Sequence, residues 1–160
     1  MPILSYEEFR DALPAKGALL GLDPGSKIIG VATTDPARKL AMPVESLKRT
    51  KFAADARRIF ELFDERTCAG LIIGLPRNMD GSEGPSAQSA RAFARNLLTV
   101  RDTPILFCDE RLSTAAVTRQ MIEGDASRAQ RAAVVDQLAA AYVLQGLVDR
   151  LQNDAPEISA

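Results

Sequence analysis

Residues 19–35 read LLGLDPGSKIIGVATTD: an apolar run that closes on Asp23, a turn of Pro24, Gly25, Ser26 and Lys27, and a second apolar run. Two strand-like segments joined by a short Pro-Gly turn predict an antiparallel hairpin of Ala18–Asp23 and Ile28–Thr34. Lys39–Leu47 adds a third strand, which Pro43 confines to an edge because it has no N–H to give to a ladder. The period then changes. Ala56, Ile59, Phe60 and Phe63 recur at helical spacing across Phe52–Phe63. GLIIGLP (70–76) is a short continuous apolar run of the kind found in a parallel strand covered on both faces. A polar loop, RNMDGSEGPS, leads to a helix with Ala90, Phe93 and Leu97 on one side. PILFCDER (104–111) reads as a strand ending in acids, with Ser113 placed to cap a following helix. EGDASRAQR is a loop before a long helix from Ala132 to Leu151. Three strands followed by alternating helices and strands describe a single α/β domain with a mixed sheet of about five strands.

Outward from this body, residues 1–17 read as an N-terminal extension. In it Ser5-Tyr-Glu-Glu8 fits a capping box opening a helix that Pro14 stops. The body spans 18–151, and 152–160 reads as a flexible tail. The start is polar and acidic, unlike a signal or transit peptide, and no apolar run approaches the ~18 residues of a membrane span. Cys68 and Cys108 lack C-x-x-C spacing, which fits reduced thiols and a cytoplasmic location without membrane contact. The chain of 160 residues has a net charge of −1 and no histidine. The missing histidine excludes Ser-His-Asp and Cys-His machinery and the common zinc sites. The near-neutral charge requires any polyanion to be held by local patches.

Acids stand at three stations. Asp23 ends one strand, and Asp109-Glu110 end another; ligands of open α/β sheets bind beyond such carboxyl ends. In the last helix Asp136 shares a stripe with Ala139, Ala140, Val143 and Leu147, which puts a carboxylate within an apolar face. Singly, each acid has an ordinary structural reading as a cap or a salt bridge. Together they would repel, and a divalent cation resolves the repulsion; oxygen-only ligands favour Mg²⁺ or Mn²⁺. Asp109 shares a strand face with Ile105 and Phe107, and Glu110 takes the other. Both remain candidates for the side turned to Asp23.

The segments LDPGSKIIGVATTD, IIGLPRNMDGSEGPSAQSARAFA, DERLSTAAV and VVDQLAAAYVLQGLVD resemble, in order and spacing, the signature segments of the YqgF (RuvX-like) family of pre-16S rRNA nucleases and Holliday junction resolvase-like proteins. The resemblance implies a ribonuclease H-like fold. It also implies a site that uses two Mg²⁺ or Mn²⁺ ions held by Asp23, Glu110 and Asp136, with Asp109 the near-equal of Glu110. One ion would activate water and the other stabilise the leaving oxygen. Gly25 would admit a phosphate close to the backbone. Lys27, Asn78, Arg128 and Arg131 are the candidate substrate contacts, and Glu83 shares the Asn78 loop. The chain departs from the family pattern at Ile28, where members often carry Arg or Thr. It departs again before Asp136, where SRAQRAAVVD replaces a strongly basic run.

The function so implied is hydrolysis of phosphodiesters in 5′-end maturation of ribosomal RNA. Its partners would be precursor rRNA and ribosomal particles, and the enzyme a monomer or a dimer. The alternative is resolution of Holliday junctions, with branched DNA as partner. Two lesser alternatives are an actin-like phosphate- or nucleotide-binding protein, suggested by the Asp-x-Gly-Ser turn, and a nucleic-acid binder that does not cleave.

Overall fold

The hairpin forms where its apolar runs predict it. β1 (Ala18–Pro24) and β2 (Ile28–Thr34) run antiparallel, with Asp23 opposite Gly30. β3 (Ala41–Lys48) pairs antiparallel with β2 at the sheet edge. Its register shifts between Val31 and Ala32, so that Val44 bulges just beside Pro43. β4 (Cys68–Leu75) and β5 (Ile105–Asp109) join in parallel on the other side of β1, and the sheet order is β3-β2-β1-β4-β5. This is the mixed five-stranded sheet expected. The computed structural model describes residues 3–76, 80–109 and 128–154, with the side chains of 128–136 outside the description.

Four helices complete the described fold: α1 (Tyr6–Ala12), α2 (Phe52–Glu65), α3 (Pro85–Val100) and α4 (Arg128–Asn153). The pleat sorts the sheet residues into two layers. Leu20, Leu22, Ile29, Val31, Leu71, Ile73 and Ile105 meet Ala56, Ile59 and Phe63 of α2 and Phe93 and Leu97 of α3. Leu19, Ala32, Ile72 and Leu106 meet Ala140, Val143, Leu144 and Leu147 of α4 on the opposite face. At Gly21 a Cβ would lie 3.2 Å from Leu144 Cδ2, so the glycine lets α4 sit close to β1. The stripe that carries Asp136 is therefore the packing face: Ala139, Ala140, Val143 and Leu147 are all buried.

The extension expected at 1–17 packs against the body. Ser5 and Glu8 close the capping box, each side chain accepting from the other's backbone N–H at 3.2 and 3.1 Å. The Leu4 N–H donates to the Ile105 carbonyl, and Phe9 is fully buried in the α4 layer. Arg38 reaches back from beyond β2, its Nη1 and Nη2 donating to the Gly17 and Pro14 carbonyls at 2.8 and 2.6 Å. α4 continues two residues beyond Leu151, into the expected tail, and 155–160 lie outside the described residues. The helix expected after Ser113 lies outside them too. Among the described residues no helix is long and apolar enough to cross a membrane.

Candidate active site

The turn after Asp23 is tied down on both sides. The Gly25 N–H donates to the Ile28 carbonyl at 2.9 Å, and the Arg49 N–H donates to the Lys27 carbonyl at 2.8 Å. Arg49 Nη1 donates to the Gly25 carbonyl at 2.7 Å, and the guanidinium lies over the Phe93 ring of α3, 5.3 Å from its centroid. Both backbone polar groups of Gly25 are thus engaged within the protein. The glycine contributes a slim turn that a ligand can approach, without an amide to donate. Sequence reasoning missed Arg49. Its only signal is a cation just past an edge strand, which gains meaning once the hairpin register sets it against the turn.

Asp23 is the floor of a cleft beyond the strand ends. The carboxylate residue is only 8% exposed. The cleft, about 420 Å³, is bordered by Asp23, Pro24, Gly25 and Ser26, by Pro76 after β4, and by Pro85, Ser86 and Ser89 of α3. α3 begins at this cleft, with Gly84 as N-cap and Pro85 in the first turn. Its free N–H groups and the positive end of its dipole favour an anion there. The cleft therefore joins a buried acid to an anion-attracting helix end, as a phosphate ester bound through a cation requires.

The pleat gives each described residue of β5 a face. Leu20 and Leu22 belong to the α2–α3 layer and Leu19 to the α4 layer, so alternation puts Asp23 on the α4 face. Ile105 and Phe107 contact the α2–α3 layer, while Leu106 and Cys108 contact the α4 layer. By alternation Asp109, opposite Leu75 in register, follows Ile105 and Phe107, and at the strand's end it also borders a cavity with Cys108 and with Tyr142 and Gly146 of α4. Glu110 lies outside the described residues.

A ladder across the sheet links Asp23 to the start of α4's described face. Asp23 pairs with Gly30 and Gly30 with Ser46, whose hydroxyl accepts from Gln137 Nε2 at 3.2 Å. Adjacent strands are ~4.8 Å apart, so Ser46 lies about 10 Å from Asp23, and Gln137 reaches it on the Asp23 face. Asp136 precedes Gln137 in α4, and its side chain lies outside the described residues, as do those of Arg128 and Arg131.

Two other expectations separate. Asn78 lies outside the described residues. Glu83 is committed elsewhere: its carboxylate accepts from Arg91 Nε and Nη2 at 2.6 and 2.7 Å, a bidentate pair that anchors the loop to α3. Arg91 in turn lies over Phe107, 5.0 Å from the ring centroid. Glu83 thus holds its loop to α3 through Arg91. On α2, Arg58 pairs with Glu45 and Glu61, so that helix presents a charge-paired face. Lys27 is exposed at the turn.

The donor chemistry suits a hard divalent cation. Among the described residues no group of three potential metal ligands comes together, because two of the three expected carboxylates are not among them. Asp23 supplies oxygen, the chain has no histidine, and neither cysteine is available as thiolate. Burial pushes the Cys108 thiol up to about 12 and the Cys68 thiol up to about 11.

Comparison with known proteins supplies the context. The RuvX family, described as "Holliday junction resolvase", matches residues 17–150. The protein named "Putative pre-16S rRNA nuclease" of Rhodospirillum rubrum is 56% identical over 158 residues, covering 98% of each chain. Its namesake in Paracoccus denitrificans is 56% identical over 148 residues, 92% of this chain and 94% of that one. Among solved structures, Thermus thermophilus RuvC in complex with a Holliday junction substrate superposes with a TM-score of 0.53 at 15% identity, over 85% of this chain and 96% of that one. The fowlpox virus resolvase in its junction complex gives 0.50 at 10% identity, over 84% and 98%. At these identities the likeness is one of fold, the resolvase-type ribonuclease H fold.

Proposed function

The chain belongs to the RuvX family, and on that premise we propose that it is a divalent-metal-dependent endonuclease that cuts precursor 16S ribosomal RNA in the cytoplasm. The observation that carries the reading is the setting of Asp23. It is a buried acid at the end of a parallel strand, on the face that α4 crosses, at the floor of a cleft opened by an α-helix N-terminus. Relatives more than half identical along nearly the whole chain carry the name pre-16S rRNA nuclease, which favours RNA as substrate and ribosomal particles as partners.

Asp23, Glu110 and Asp136 would hold Mg²⁺ or Mn²⁺, two ions in all. Glu110 is preferred over Asp109, a preference that the alternation of Ile105 and Phe107 along β5 supports. Bound there, the ions lower the pKa of water and offset charge on the leaving oxygen. The protein's own part is placement. Asp23 is held by β1, and the clamped turn fixes Gly25 and Ser26 at the edge of the cleft. The first turn of α3 orients a phosphate over the acid. Lys27, Arg128 and Arg131 would hold flanking phosphates, and Asn78 would touch the strand from the loop.

Incubation of the purified protein with precursor-like RNA tests the reading. Cleavage is expected with Mg²⁺ or Mn²⁺, to be lost on chelation and in Asp23→Asn. Ca²⁺ is expected to support binding with little turnover. Full cleavage with verified absence of bound metal would overturn it. The family description favours a second reading, Holliday junction resolution, which the same assay examines with an immobile four-way junction.

A further inference from the structure

We infer that a groove beside the cleft, where the β1–β2 turn meets the end of β3, holds a backbone phosphate of the single-stranded RNA next to the one being cut. The inference rests on the nuclease reading above and adds to it a subsite with Lys48 and Arg49 as new contacts. The groove, about 540 Å³, is lined by Ser26, Lys27, Ile28, Ser46, Lys48 and Arg49. Three of these six residues are cations and two carry hydroxyls; none is an acid. Ser26 borders both this groove and the Asp23 cleft, so the two lie side by side.

The strand pairing explains how three cations gather there. Lys48 lies opposite Ile28 at the open end of the β2–β3 ladder. It is two residues past Ser46, which receives Gln137 from α4, so the pleat puts Lys48 on the same face as Asp23. Arg49, one residue on, takes the other face, where it lies over Phe93 and donates to the Gly25 carbonyl. Lys27 projects from the turn between them. Glu45 is the acid of β3, and it is drawn away to Arg58 at 2.8 Å on the α2 side. Among the described residues no carboxylate pairs with Lys27, Lys48 or Arg49.

Unpaired cations crowded at one turn raise the local potential, and an anion relieves their mutual repulsion. With adjacent strands ~4.8 Å apart, the end of β3 is about 10 Å from the end of β1, a reach that suits a neighbouring phosphate of a strand already seated over Asp23. The overall charge of −1 gives no long-range pull, so a local contact of this kind matters more.

The test is RNA binding measured by fluorescence anisotropy over a salt series, with metal chelated, for wild type, Lys48→Ala, Lys48→Glu and the Lys27→Ala/Lys48→Ala double variant. Each alanine should weaken binding and flatten the dependence of log affinity on log salt by about 0.7, and the double variant by about 1.4. Lys48→Glu should weaken binding more than Lys48→Ala. Unchanged affinity and slope in the double variant would overturn the subsite. Cleavage by the wild-type protein, followed in parallel, keeps the two readings apart. Loss of slope in a protein that never cuts RNA would sustain the groove and sink the nuclease reading. Cutting by wild type with an unaltered slope in the variants would do the reverse.

Discussion

At the scale of single residues, the proposal makes Asp23 the acid on which cleavage depends. Carboxylates gathered at one strand end would oppose folding, as active sites commonly do. Asp23→Asn keeps the shape and removes the charge. Cleavage should fall by at least about a hundredfold, since several kcal/mol of transition-state stabilisation depend on metal placement. The metal-free melting temperature should hold or rise; a large drop would instead make Asp23 a structural ion-pair residue. Asp109 and Glu110 form a sharper pair. Glu110→Gln should abolish cleavage and Asp109→Asn should leave it near the wild-type rate, because Asp109 shares its strand face with Phe107. Equal loss in both would show that the pleat does not decide between them. The thiols make a pH prediction. Burial raises the Cys108 pKa from 9.0 to about 12. A raised folded-state pKa means that this stabilising contribution is complete below pH 9 and is lost as pH rises toward 12. Melting temperature should therefore decline above pH 9, less steeply in Cys108→Ala, and iodoacetamide at pH 8 should label the unfolded chain far faster than the native one.

At the scale of elements, the parts legible in the sequence were those whose cause is local. The apolar runs of β1, β2 and β4 and the capping box of α1 each carry their instruction within a few residues, and the structure places them within about two residues of the reading. What stayed hidden depends on contacts between distant segments. The Glu83–Arg91 pair ties the loop to α3, and Arg49 becomes a clamp only because β3 ends beside the β1–β2 turn. The docking of α1 is the same kind of feature. Its amphipathic helix is readable, yet its seat is not, because that seat is a glycine on β4: a Cβ at Gly70 would lie 2.7 Å from Phe9 Cζ. Phe9 is fully buried, so its ring would have to shift within the core. Gly70→Ala should therefore cost about 1–3 kcal/mol by overpacking, and Phe9→Ala about 3–5 kcal/mol by leaving a cavity. Thermal melts measure both. Small effects in both would mean that α1 only rests on the body.

At the scale of the whole molecule, charge and shape bear on which nucleic acid is cut. Symmetric incision of a four-way junction needs two sites related by a dimer axis and broad basic faces to hold the arms. This chain carries 20 basic and 21 acidic residues. Part of the described positive charge is spent on neighbours within the protein: Arg58 on Glu45, Arg91 on Glu83 and Arg101 on Asp64. What remains beside the cleft is the compact group of Lys27, Lys48 and Arg49, enough to steady a short stretch of one strand. Single-stranded precursor RNA matches that footprint, and a ribosomal particle would supply the affinity that the net charge withholds. The expected outcome is cleavage of precursor-like RNA, at equal concentration and salt, well above cleavage of an immobile four-way junction. Added ribosomal particles should lower the RNA concentration needed for half-maximal cutting. The solution mass, measured on the same sample, completes the test. A stable dimer that resolves the junction symmetrically and leaves RNA intact would reverse the assignment, because paired sites would then provide the symmetry and the second basic face that one copy lacks.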